Sequence, residues 1–116
     1  MTHAFRANTR RGSRRNIAAH YDLGNAFYER WLDAGMNYSS ALYRGGESLE
    51  DAQAAKIARI AELLDLRGGE RVLEIGCGVG ITACHLARSV GCSLTSVDLS
   101  EAMIDWARKR ARREGL

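Results

Sequence analysis

The chain of 116 residues contains no proline, which excludes a proline-rich linker, and its 12 glycines do not fall in a collagen-type period. Cysteine is scarce. Cys77, Cys84 and Cys92 are odd in number and fit neither a disulfide framework nor a paired zinc motif, so no metal is expected and a reducing, cytoplasmic compartment is. Long apolar runs are missing as well. The longest stretch without Asp, Glu, Lys or Arg runs from Ile75 to Ala87, short of the ~18 apolar residues a spanning helix needs. The early arginines are not followed by the apolar core of a signal peptide. What is present, 46% hydrophobic and 27% charged residues, is the composition of a single globular domain.

Charge is spread unevenly. The 17 basic and 14 acidic residues leave a net charge of +3, but residues 1–15 carry Arg6, Arg10, Arg11, Arg14 and Arg15 with no acid. A second basic group, Arg108, Lys109, Arg110, Arg112 and Arg113, sits near the end, and the region between is acidic. A basic arm on an acidic body suits an anionic partner, here a membrane surface at which the protein would be peripheral, or else it is a frayed terminus. Finger spacing, aromatic RNA-binding patterns and heptads are all absent, so no nucleic-acid partner is expected.

Helical patterning begins near Asn16, with Ile17, Tyr21, Phe27, Trp31 and Leu32 as apolar positions, and Gly24-Asn25 divides it into two short helices. Residues 33–37 and 44–47 read as turns around a loop, Tyr38 to Tyr43. Ser48 then caps the clearest helix, with Asp51 at the third position of a variant capping box. Ile57, Ile60, Ala61 and Leu64 mark its buried face, and it should stop near Leu66, before Gly68-Gly69. Arg71–Ile75 reads as a buried strand that runs into Gly76-Cys77-Gly78-Val79-Gly80. A helix from Ile81 to Val90 ends at Gly91, a strand from Cys92 to Val97 is closed by Asp98, and Ser100 caps a last helix. Met103, Trp106, Ala107 and Ala111 form the core face of that helix. The order is strand, glycine loop, helix, strand, acid, helix: a βαβα unit.

Glycines between a strand and a helix let the backbone turn sharply and let a ligand approach the peptide atoms. Asp98, at the end of the next strand, is placed to accept hydrogen bonds from a ribose hydroxyl pair, so the expected ligand is a nucleoside cofactor. Position 81 is Ile where a dinucleotide fingerprint needs Gly or Ala, and no Lys follows the loop as in a phosphate-binding P-loop. Glu74 sets a carboxylate near the loop, which would repel a pyrophosphate but suits a cationic ligand. The combination favours S-adenosylmethionine over NAD.

Val72 to Gly80 resembles the first motif of class I S-adenosylmethionine-dependent methyltransferases. His20 to Tyr28, Met36 to Ala41 and Ser48 to Lys56 resemble a narrower group, the cyclopropane-fatty-acyl-phospholipid and mycolic acid cyclopropane synthases. The resemblance implies an α/β, Rossmann-like class I methyltransferase fold, cut after its first βαβα unit, with an N-terminal helical segment. It divides the chain into a basic arm (1–15), a helical cap with a cofactor-closing segment (16–66) and the first half of the cofactor domain (67–116). It assigns Tyr38 and Ser39 to closure over the methionine end of S-adenosylmethionine. Gly76, Gly78 and Gly80, with Glu74 and Cys77, would line the methionine and ribose side; Asp98, Leu99 and Ser100 would contact the adenosine. Ser40 matches a position that is commonly Cys in the family, where the backbone helps to hold a bicarbonate ion acting as base.

The implied reaction is methyl or methylene transfer to the double bond of an unsaturated acyl chain of a phospholipid. The alternatives are N- or C-methylation of a small molecule, or cofactor binding without catalysis. The acyl pocket and the main catalytic groups would lie beyond Leu116, so the 116 residues alone are expected to be inactive. Two positions depart from the narrow family: Val79 where Trp is usual, and Asp98 where Thr is more typical. Tyr38 could also pack its ring against a sulfonium or an adenine. His20-Tyr21-Asp22 resembles a proton relay, whereas His85, Cys84 and Cys92 read as packing residues and Cys77 as a loop residue chosen for size.

Overall fold

The computed structural model describes residues 25–116, together with Thr9 and Gly12. The arginine arm, the helix expected from Asn16 and the His20-Tyr21-Asp22 run lie outside the described residues. The chain divides into two compact units, Met1–Trp31 and Leu32–Leu116. In the first, a single helical turn, α1 (Asn25–Tyr28), brings three rings together. Phe27 and Tyr28 meet edge-on with centroids 5.4 Å apart, and Trp31 packs 5.6 Å from Tyr28.

The second unit contains α2 (Leu49–Leu63), β1 (Arg71–Ile75), α3 (Ile81–Val90), β2 (Ser93–Val97) and α4 (Glu101–Arg113). The capping box on α2 forms as its sequence dictates: Ser48 Oγ accepts from the Asp51 amide at 3.1 Å and donates to Asp51 Oδ2 at 2.7 Å. The helix stops three residues before Leu66. Asp65 takes a left-handed φ of 49°, so the Leu66 amide turns back onto the Ala61 carbonyl at 3.0 Å and its side chain joins the core. This is a Schellman-type end with Asp in the position where Gly is the usual signal, which is why the sequence pattern overran it.

The strands pair in parallel, Arg71 opposite Ser93 and Ile75 opposite Val97. Ile57 of α2, Leu86 of α3 and Cys92 form the buried cluster, with Val72, Leu94, Ala61, Ile81 and Val90 packed against it. Helices therefore cover the sheet face that carries Val72 and Leu94. The opposite face is bare: Leu73 is 63% exposed and Ile75 81%. The expectation of a buried first strand holds for one face only, because alternate strand residues point to opposite sides.

Two helix faces also differ from expectation. Leu64 lies at the cap of α2 and is exposed, while Ala52 and Gln53 are buried beside Ile57. Trp106 is not a core residue. It is 48% exposed, with Lys109 Nζ 5.0 Å from its ring centroid. No helix among the described residues is long and apolar enough to cross a membrane.

The two sheet faces should respond differently to truncation. Ile57→Ala is expected to lose about 2–5 kcal/mol of stability in urea denaturation, because it empties a closed site. Ile75→Ala should lose under about 1 kcal/mol, the scale of exposed strand positions. Equal losses would mean that the Ile75 face is covered in solution.

Candidate functional site

Parallel pairing puts the C-terminal ends of β1 and β2 side by side, and the chain converts that adjacency into a fixed loop. The amides of Gly76 and Cys77 both donate to the Val97 carbonyl, at 2.8 and 3.1 Å. One residue further on, the Gly78 amide donates to Asp98 Oδ2 at 2.8 Å, while Asp98 Oδ1 accepts from the Ser100 amide at 2.9 Å. Asp98 thus holds the glycine loop and the start of α4 at once. Each carboxylate oxygen spends one lone pair on the backbone and keeps another for a ligand donor.

The loop glycines divide by function. Gly80 (φ 78°) is the N-cap of α3, and a Cβ built there would lie 2.9 Å from Ala107 Cβ and 3.1 Å from Ala107 Cα, so its bareness lets α3 and α4 approach. Gly78 (φ 53°) faces open space instead, with nothing within 4 Å of a built Cβ. That clearance above the loop is the opening a ligand would need. Gly76 is equally clear.

Glu74 is half-buried at the end of β1 and accepts from Ser96 Oγ at 3.0 Å. Burial pushes its carboxyl above the ordinary 4.5, and the Ser96 hydroxyl partly offsets this. Cys77 is buried, its thiol pushed up first by burial and then by the Glu74 and Asp98 carboxylates. Its side chain lines a cavity of about 560 Å3 between α3, α4 and β2, together with Cys84 and Cys92. All three cysteines are free thiols. Ser100 caps α4, accepting from the Met103 amide at 3.4 Å, and Leu99 is 74% exposed beside it.

Tyr38, Ser39 and Ser40 form an exposed segment after a turn that Asp33 organises. Asp33 Oδ1 accepts from the Asn37 amide at 2.8 Å, and Oδ2 accepts from the Gly35 amide and Asn37 Nδ2 at 2.9 and 2.7 Å. The segment is fastened to α2: Gln53 Nε2 donates to the Ser39 carbonyl at 2.8 Å and Lys56 Nζ to Ser39 Oγ at 2.7 Å. Burial pushes the Lys56 ammonium down, opposed by the Asp33 charge.

The glycine loop, Glu74, Asp98, Leu99 and Ser100 thus gather at one end of the sheet, while the Tyr38–Ser40 segment is carried by α2. Gln53 and Lys56 were not identified from the sequence as site residues. The available signal was weak, a polar and a basic residue four and one places before Ile57 on a helix read for its apolar face. Arg110 was missed too, grouped with its basic neighbours although it stands three residues after Ala107 on the inner stripe of α4.

Comparison with known proteins bears on this arrangement directly. A family model described as mycolic acid cyclopropane synthetase matches residues 8–116. The cyclopropane-fatty-acyl-phospholipid synthase of Escherichia coli is 43% identical over 97 residues, covering 84% of this chain and 25% of that protein. Among solved structures, the cyclopropane synthase MmaA2 from Mycobacterium tuberculosis superposes with a TM-score of 0.76 at 32% identity, over 84% of this chain and 35% of that one. The mycolic acid cyclopropane synthase CmaA1, complexed with SAH and CTAB, gives 0.76 at 30% identity over the same shares. The chain shares the Rossmann-like α/β fold of these structures and spans about a quarter of the length of the curated relatives it matches.

The Glu74 carboxyl gives this site a pH signature. A value raised in the folded state means that the folded chain holds the proton more tightly than the unfolded one. Stability then falls as pH rises from the ordinary 4.5 through the raised value, and is level beyond it. Glu74→Gln removes the charge and with it the step. The variant and the wild type should match in urea stability below the ordinary value, and the variant should be the more stable near neutral pH. A constant difference across the range would show that Glu74 is solvated.

Proposed function

The chain belongs to the mycolic acid cyclopropane synthetase family, and we propose that it forms the cofactor-binding part of an S-adenosylmethionine-dependent methyltransferase acting on the double bond of an unsaturated acyl chain of a phospholipid. The observation that carries this reading is the Gly78 amide bonded to Asp98 Oδ2 beneath clear space. A glycine loop and an acid, held together at the C-terminal ends of adjacent parallel strands, are what a nucleoside cofactor requires. The CmaA1 structure, complexed with SAH, supports the choice of cofactor, and the name of the Escherichia coli relative supports the acceptor.

S-adenosylmethionine supplies a methyl group on an electrophilic sulfonium. The chain's own part is to bind and orient. Gly76 and Gly78 leave room for close approach, Gly80 fixes the exit into α3, and Cys77 packs beneath the loop. Asp98 has lone pairs left for ribose hydroxyls, with Leu99 and Ser100 flanking the adenosine. Glu74 faces the cationic end with a carboxylate, and Tyr38 and Ser39 close over the methionine. The Ser40 backbone would hold bicarbonate. Val79 and Asp98, which differ from the narrow family's usual Trp and Thr, lie on the loop and its clamp and not in the closing segment.

Gly78→Val tests the loop. A branched side chain at φ 53° is strained and projects into the clear space, so calorimetry on the intact protein should show cofactor affinity lost. Unchanged affinity would overturn the assignment. Transfer of an isotope-labelled methyl group to a monounsaturated phospholipid, set against a small amine, then decides the acceptor. Label on the amine alone would replace the lipid reading, and cofactor binding with no transfer to either would leave a binding module.

We also propose a cytoplasmic protein, peripheral at an anionic membrane surface. Support comes from the arginines of residues 1–15 and from Lys109, Arg112 and Arg113, which are exposed along α4 near Trp106. Attraction of about 1 kcal/mol per basic residue predicts binding to anionic vesicles that fades as salt rises. Neutralising Arg10, Arg11, Arg14 and Arg15 should weaken sedimentation with vesicles. Unaltered sedimentation would make the arm an ordinary terminus.

A further inference from the structure

Arg110 is the one member of the C-terminal basic group that turns inward: its side chain is 18% exposed, against 68% for Arg108. Its guanidinium reaches three places. Nε donates to the Val79 carbonyl at 3.2 Å, Nη2 donates to the Gly35 carbonyl at 3.2 Å, and Nη1 lies 3.5 Å from Glu114 Oε1. Val79 is the centre of the glycine loop, between Gly78, which Asp98 holds, and Gly80, which caps α3. Gly35 belongs to the Asp33 turn, and Tyr38 follows three residues later.

We infer that Arg110 is a positioning residue that fixes the glycine loop and the Tyr38–Ser40 segment in one geometry and thereby sets the affinity of the cofactor site. The inference rests on the S-adenosylmethionine reading above. Asp98 holds the loop from the β2 side through the Gly78 amide; Arg110 holds the next residue, Val79, from the α4 side through its carbonyl. Arg110 thereby joins the loop to the turn that precedes the closing segment. The planar guanidinium matters because its donors diverge in a fixed fork, whereas a lysine ammonium at the end of a flexible stem cannot serve both carbonyls in the same way. Glu114 orients the fork and is itself held by Arg88 Nη1 at 3.2 Å.

The test compares wild type, Arg110→Lys, Arg110→Met and Arg59→Gln in the intact protein. It reads the calorimetric Kd for S-adenosylmethionine, kcat and KM in methyl transfer, and Tm. Arg110→Lys should raise the cofactor Kd and KM about tenfold, the scale of one lost charge-assisted hydrogen bond. Its kcat at saturating cofactor, its KM for the acceptor and its Tm should stay near the wild-type values. Arg110→Met should be weaker still, and should it fail to fold, the lysine variant carries the test. Arg59→Gln, at an exposed arginine of α2 that pairs with Glu62, touches neither carbonyl nor Glu114 and should bind as wild type does. If wild type binds S-adenosylmethionine and Arg110→Lys binds it equally well, the inference alone fails. A fall in Tm that accounts for the lost affinity would reduce Arg110 to an ordinary structural residue and also overturn it. If the wild type binds no cofactor, the functional reading fails and this inference with it.

Discussion

The short bond from the Gly78 amide to Asp98 is the constraint on which the rest of the site depends. It exists only because β1 and β2 run parallel and in register, so that both strands end at the same level. Ile75 pairs with Val97, the Gly76 and Cys77 amides close on the Val97 carbonyl, and the Gly78 amide beyond them meets the Asp98 carboxylate. The acid then satisfies loop amides that would otherwise be unpaired, and a carboxylate does so more strongly than a neutral acceptor. The loop is therefore fixed before any ligand arrives, which lowers the ordering cost of binding.

The energetic centre of the unit lies elsewhere. Ile57, Leu86 and Cys92 bury one face of the sheet between α2 and α3, while Leu73 and Ile75 on the other face remain in water. Parallel sheets are normally covered on both sides, and this one is covered on one. The site sits at the end of the sheet and draws on the covered side for its support, through Gly80 against Ala107 and through Arg110. α4 contributes no fully buried residue.

Much of the sheet and loop was legible in the sequence because local rules decide it. A short β-prone run marks Arg71–Ile75, the Ser48 and Ser100 caps mark helix starts, and Gly91 marks a helix end. The errors arise where a distant contact overrides a local preference. Asp65 ends α2 in place of a glycine and Leu66 gains a place in the core, while Trp106 stays half exposed with Lys109 over its ring. Gln53 and Lys56 carry no local signal of a site role, yet they hold Ser39 from 14 and 17 residues away.

By itself the sequence determined the order of elements, the glycine loop, the spaced acid and the resemblance that links them to a methyl-donor cofactor, since these depend on residue type and on spacing along one chain. Only the tertiary structure decided which partners those residues take. Asp98 and Gly78 are 20 residues apart, and Arg110 and Gly35 are 75 apart. No periodicity encodes a separation of that length. Such pairings follow from packing α2, α3 and α4 on one face of a parallel sheet, which brings an arginine from the last helix against a carbonyl of the first turn.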